Sequence, residues 1–225
     1  LHSRTTNSLQ SAESGPFIKS TNGAEMIPNL GKSTANLTQP ATPPDQNLVD
    51  LLNQTITPDN PLRADDIYLR SLFVTSTVVN AYGGRFSADD LPHLCDLLID
   101  SPVLIGHRKD SLPIARVFHA EVMTRGNAPW VQACFYWLKS VDGSATLRDN
   151  IDGGVYKECS LSFTYQLPEC SICGKDIRLC RHEPFVEYPT ARGRETCHFL
   201  YRQVEKVLET SLVYRGAVEN TKVGS

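Results

Sequence analysis

The sequence predicts a mainly β fold with flanking helices, and three observations carry that prediction. Runs rich in β-branched and aromatic residues outnumber amphipathic helical patterns. Turn residues break those runs at short intervals. Their spacing suits an antiparallel barrel or sandwich rather than alternating βαβ units. With 225 residues and 40 % hydrophobic content, the chain can bury one real core without disulfide staples.

Residues 1 to about 44 are rich in Ser, Thr, Asn, Gly and Pro and carry no sustained apolar period, which predicts an extended or disordered arm. Asp45 is placed to cap a short helix with apolar positions Leu48, Val49, Leu51 and Leu52, ended by Pro58 and Pro61. Ile67 to Val74 reads as a strand, and Gly83-Gly84 as a turn. Leu91, Leu94, Cys95 and Leu98 fall on one face of a helix, with Pro92 in its first turn where the missing N–H costs nothing. Strands follow at Val103 to Gly106, Ile114 to Met123 and Trp130 to Leu138. Ser144 is a candidate N-cap for a helix ending at Gly153-Gly154. Val155 to Gln166 and a stretch within Phe199 to Tyr214 complete the strands.

Net charge is −3, and no Lys/Arg cluster is dense enough to track a phosphate backbone, so nucleic acid is not an expected direct partner. No run reaches the ~18–20 apolar residues of a membrane span, and the N-terminus lacks the pattern of a signal peptide. A soluble protein of intracellular origin, with no membrane partner, is expected.

Seven cysteines are an odd set, and four of them crowd into Cys170 to Cys197. Cys170, Cys173, Cys180 and His182 form C-x2-C-x6-C-x-H. Two thiolates on a tight turn reach one ion, and the later pair supplies the other corners of a tetrahedron. This predicts a structural zinc with a closed shell. Cys197 and His198 are spare ligands, Cys197 being able to replace Cys180 or His182. Cys95, Cys134 and Cys159 lie in apolar or strand-like contexts and read as buried free thiols. A zinc nuclease would need a further histidine pair on a helix, and none is evident.

Three stretches, in order, resemble the prohead-protease family of tailed phages. Ser101-Pro102-Val103-Leu104-Ile105-Gly106-His107 with Leu112-Pro113-Ile114-Ala115-Arg116-Val117 looks like the family's strand ending in the catalytic histidine and its "P-I-G-R-V" strand. Gly154 to Phe163, with Cys159-Ser160-Leu161-Ser162-Phe163, is similar to the "V-S-I-G-F" serine strand. Leu208-Glu209-Thr210-Ser211-Leu212-Val213 is similar to the closing "E-V-S-L-V" strand. The resemblance covers about residues 65 to 220 and places a Cys/His-rich insert, a familiar variant in the family, where Cys170 to Cys197 lies.

The resemblance implies a β-barrel flanked by helices, like that of the herpesvirus assembly proteases. Residues 1–64 would be the arm with its helix, 65–168 and 199–220 the protease-like domain, 169–198 the zinc insert and 221–225 a tail. It also implies a serine endopeptidase with Ser160 as nucleophile, His107 as base and Glu209 as third residue, Glu158 and Glu205 being rival acids. Such an enzyme cuts the scaffold and the N-terminal part of the major capsid protein inside the prohead, formed in the host cytoplasm. It would work as an oligomer or within an assembly that includes portal or other virion proteins. Self-cleavage is implied too, with Leu1 and Ser225 as ends it would leave. Two positions depart from the pattern: Arg108 follows the histidine, and Ser162 stands where Gly is usual, which also makes Ser162 a rival nucleophile. The alternative expectation is a catalytically silent, zinc-stabilised structural or assembly protein of the virion. His93 and His119 read as helix-surface and strand residues.

Overall fold

In the computed structural model of the chain, residues 44–214 are described with their side chains and residues 29–38 as backbone. Most of the N-terminal arm, the tail and both chain ends lie outside the described residues, and so does the expectation about self-cleaved ends. The arm does contribute one strand, β1 (Asn29–Thr38), which the absence of an apolar period had hidden. Its ladder lies against the strand edges described below, where backbone groups rather than side chains supply the pairing.

Helix α1 (Gln46–Ile56) starts where Asp45 caps it, the carboxylate accepting from Asn47 N–H at 3.0 Å, and ends at Thr57 in the left-handed conformation. It buries Val49 and Leu52 against Ile67, Leu69 and Phe118, so it docks on the domain. β2 (Ile67–Ser76) leads through β3 (Gly84–Arg85) and a short 3-10 turn at Ala88–Asp90 into α2 (Leu91–Leu98). Leu91, Leu94, Cys95 and Leu98 are all buried, as the helical spacing predicts. β4 (Pro102–Ile105) precedes the hairpin of β5 (Ala115–Arg125) and β6 (Ala128–Leu138). Gly126 has φ 61 at the first position of that hairpin's two-residue loop, where an L side chain would be strained.

Ser144 is the first residue of α3 (Ser144–Asp152) rather than its cap. Gly143 takes the cap position, and the Ser144 hydroxyl donates instead to the Leu138 carbonyl at 2.7 Å. β7 runs over Glu158–Cys170, later at both ends than the sequence pattern marks, and ends on a metal-ligand candidate. A small ribbon, β8 (Glu187–Thr190) with β9 (Gly193–Thr196), precedes the long β10 (Phe199–Val213).

The main sheet has the order β3-β10-β4-β5-β6-β2-β1-β7, and β10 also pairs with β7. The expected all-antiparallel arrangement is corrected to a mixed sheet, since β10 runs parallel to both β3 and β4. These strands are far apart in the chain, so no hairpin dictates their relative direction.

The β7–β10 ladder positions the chemistry. Ser160 lies opposite Ser211 and Ser162 opposite Glu209, while Leu161, Phe163, Thr210 and Leu212 alternate with them and are buried on the core side. A register shift between Val207 and Glu209 takes up one extra residue, Leu208. Without that bulge Leu208 would stand opposite Ser162, and Glu209 would turn toward the core.

Candidate functional site

Gly106 and His107 occupy the centre of a tight turn closed by Arg108 N–H donating to the Ile105 carbonyl at 3.3 Å. Both have positive φ, 62 and 60. Glycine adopts this readily, but a histidine held there costs on the order of 1–3 kcal/mol. The turn is pinned to β10 at two points. Gly106 N–H donates to the Leu212 carbonyl at 2.8 Å, and His107 N–H donates to the Ser211 hydroxyl at 3.0 Å.

Held this way, the His107 ring lies over the polar face of the ladder. Its Nδ1 is 2.6 Å from Glu209 Oε1, and the ring is 22 % exposed against 2 % for the carboxylate. The Ser211 hydroxyl donates to Glu209 Oε2 at 2.6 Å. Burial would raise the carboxyl pKa, but hydrogen bonds from His107, Ser162 and Ser211 outweigh it and hold Glu209 below the usual carboxylate range. An ionised carboxylate at this distance fixes the ring proton on Nδ1 and leaves Nε2 as the basic nitrogen.

Of the three acids the sequence offers, Glu209 is the one that meets the histidine. Glu158 lies at the start of β7 opposite Val213, and Glu205 bonds the Gln166 side chain. The serines divide differently. Ser162 Oγ is 3.4 Å from His107 Nδ1, whereas Ser160, on the same face and 4 % exposed, makes no side-chain hydrogen bond among the described residues. The ladder thus places Ser160 beside the His107–Glu209 pair without a bond to the ring. Arg108 turns outward and pairs with Asp110 at 3.5 Å, away from these groups. His93 contacts the Val204 carbonyl and His119 lies 3.8 Å from Glu121, both remote from the site.

Sequence reasoning missed Ser211. Its alternation with Glu209 along a strand was visible, but its bond to the main chain of His107 depends on a turn more than a hundred residues earlier. A cleft of about 640 Å³ opens between α3 and β4–β6, lined among others by Ile105, Ile114, Tyr136, Trp137 and Tyr156. Ile105 closes β4 just before the Gly106-His107 turn, so the cleft reaches the edge of this site.

The second cluster sits at the far end of β7. Gly174, with φ 70, lets the chain fold back so that its N–H donates to the Cys170 carbonyl at 2.8 Å, bringing Cys173 beside Cys170. The ligand atoms of Cys170, Cys173, Cys180 and His182 lie within 4.8 Å of one another. Cys170 Sγ and His182 Nδ1 are 3.6 Å apart, which matches the roughly 3.6 Å edge of a tetrahedron built on thiolate and imidazole bonds. The donor set can therefore hold one metal ion. Cys197 approaches Cys170 to 3.9 Å between sulfurs as a fourth thiol, while His198 accepts from Arg85 at 2.9 Å and stands apart.

Burial opposes ionisation of Cys170, but backbone N–H groups of Ile172 and Cys173 and the neighbouring thiols bring its pKa below the ordinary value. Burial and the Cys170 charge push Cys197 up to about 12. A divalent cation relieves that mutual repulsion among thiolates. Cys95 and Cys159 are buried as expected and form no disulfide, and Cys134 is only partly buried.

No family model, curated protein or solved structure matches the chain.

Proposed function

We propose that the chain is a serine endopeptidase of the prohead-protease type, with a structural zinc in its insert. The observation that carries the reading is the buried Glu209 carboxylate 2.6 Å from Nδ1 of a histidine held in a strained turn, over a face that presents two serines. Backbone strain of this kind, fastened by three neighbouring hydrogen bonds, is a feature that functional sites retain.

In this reading Glu209 orients the ring and stabilises its protonated form, and Nε2 is the base. Ser162 lies on the Nδ1 side of the ring, 3.4 Å from the nitrogen that Glu209 already engages, so it is poorly placed to be activated by Nε2. Ser160, whose hydroxyl makes no hydrogen bond among the described residues, is the nucleophile in this reading, and its bond to Nε2 forms as substrate arrives. Its oxygen attacks the scissile carbonyl as Nε2 takes the proton. The imidazolium returns that proton to the leaving amine, and water hydrolyses the acyl-enzyme. The pairing of β10 with β7 supports a barrel for this fold, with the site on its outer face.

The resemblance supplies the setting: scaffold and major capsid protein as substrates, cut inside the prohead, with oligomeric or assembly contacts to other virion proteins. Zinc suits the second cluster because three thiolates and one imidazole close a tetrahedral shell and leave no position for substrate.

One observation favours the second reading, a catalytically silent virion component: Ser160 and His107 are not hydrogen bonded. A fluorophosphonate probe with mass-spectrometric mapping of the adduct separates the two. The enzyme reading expects a single adduct on Ser160 and loss of scaffold cleavage in Ser160→Ala. Absence of both adduct and cleavage in the wild-type chain supports the silent protein.

A further inference from the structure

We infer that Ser211, assisted by Ser162, is a positioning residue that locks the His107–Glu209 pair by holding both partners at once. The inference rests on the hydrolase reading and adds to it a residue that touches no substrate. Ser211 Oγ accepts the His107 main-chain N–H at 3.0 Å and donates its own proton to Glu209 Oε2 at 2.6 Å. A single hydroxyl therefore links the strained turn to the carboxylate that the turn must face.

The division of labour follows from hydrogen-bond capacity. Glu209 is 2 % exposed, so water is not available to satisfy both of its oxygens. Oε1 receives His107 Nδ1–H and Oε2 receives Ser211. Ser162 sets a hydroxyl 3.4 Å from His107 Nδ1 and directly opposite Glu209 in the ladder, a polar neighbour that a glycine at that position would not supply. With both oxygens engaged, the carboxylate cannot rotate about its terminal torsion, and the ring it aims cannot swing. Ser211 itself is fully buried, its rotamer confined by the ladder and by its pairing opposite Ser160. Among the described residues, His107 is the charged group in direct contact with Glu209, at 2.6 Å.

Removing these donors has a defined sign. They weaken the carboxylate as a proton acceptor, so their loss increases the proton affinity of the coupled pair, and the acid limb of the pH–rate profile moves to higher pH. Ser211→Ala should slow fluorophosphonate labelling and scaffold cleavage by about 10- to 100-fold, the size of one hydrogen bond to a charged group, in kcat rather than KM. Ser162→Gly should give a smaller loss in the same direction, and Ser211→Thr, which keeps the hydroxyl, should recover most of the rate.

Proton NMR supplies a readout independent of turnover. The low-field Nδ1–H signal of His107, identified by its absence in His107→Gln, should move or broaden in Ser211→Ala while the thermal unfolding midpoint stays within a few degrees. An unchanged signal together with an unchanged acid limb overturns the positioning role. A wild-type chain that shows the signal but takes no probe leaves the lock in place and removes the hydrolase reading instead.

Discussion

The two ends of β7 carry two sites built in opposite ways. At one end, Cys170, Cys173, Cys180 and His182 lie within thirteen consecutive residues and converge through one glycine turn. At the other, His107, Ser160, Ser162, Glu209 and Ser211 come from three distant segments and meet only because β7, β10 and the turn after β4 share a register. Ten residues of strand separate Ser160 from Cys170, roughly 33 Å of extended chain. The local site is a donor set that a single ion would close, while the distributed site depends on the whole sheet. Each should therefore fail without the other.

The largest expected effect comes from taking the metal away. Structural zinc contributes about 10–16 kcal/mol in zinc-finger peptides. Chelation, or Cys173→Ser, should strip amide-exchange protection from residues 171–198 while β4–β7 stay protected and fluorophosphonate labelling persists. One equivalent of zinc in the purified chain is the accompanying expectation, and loss of protection throughout the sheet would break the separation of the two ends.

The next effect belongs to the carboxylate. Glu209→Gln keeps the shape but holds the imidazole in the wrong tautomer, a change that costs about 10⁴-fold in an analogous triad. Labelling kinetics of Glu209→Gln should show a loss approaching that size, with the zinc content unchanged.

A smaller effect is the acid sensitivity of the folded state. Because Glu209 is held below the ordinary value near 4.5, its ionised form stabilises the fold fully above that value, and this stability is lost as pH falls through the lower folded value. Urea midpoints measured between pH 6 and pH 3 should fall more steeply for the wild-type chain than for Glu209→Gln. Parallel curves would mean that the carboxylate is not coupled to folding.

The smallest effect marks the baseline. Arg194 and Glu187 pair at 3.0 Å across the β8–β9 ribbon, but both side chains are more than half exposed, so Arg194→Ala should change stability by about 1 kcal/mol or less. A larger loss in thermal unfolding would show that the ribbon, rather than the ion, organises the insert.

Much of this contrast is legible in the sequence. The spacing of Cys170, Cys173, Cys180 and His182 names the metal loop, and the apolar periods of Leu91 to Leu98 and Val49 with Leu52 name the two buried helix faces. The pairing of His107 with Glu209 came through the resemblance of three short stretches, since nothing in the residues between 108 and 208 links the two. The closer approach of Ser162 than Ser160 to the ring and the double bond of Ser211 came from neither source.

By itself, then, the sequence determined what is local: the thiol-rich turn, the capped helix after Asp45, the β-rich runs and the alternation that puts serine and glutamate on one face of their strands. Tertiary structure alone decided the parallel course of β10 beside β4, the strand within the polar arm, the bulge at Leu208 and the bonds of Ser211 to both His107 and Glu209. The physical reason is range. Helix caps and chelating turns are set by residues a few positions apart, whereas strand register is a property of two segments together, and a shift of one residue exchanges the core face for the chemical one.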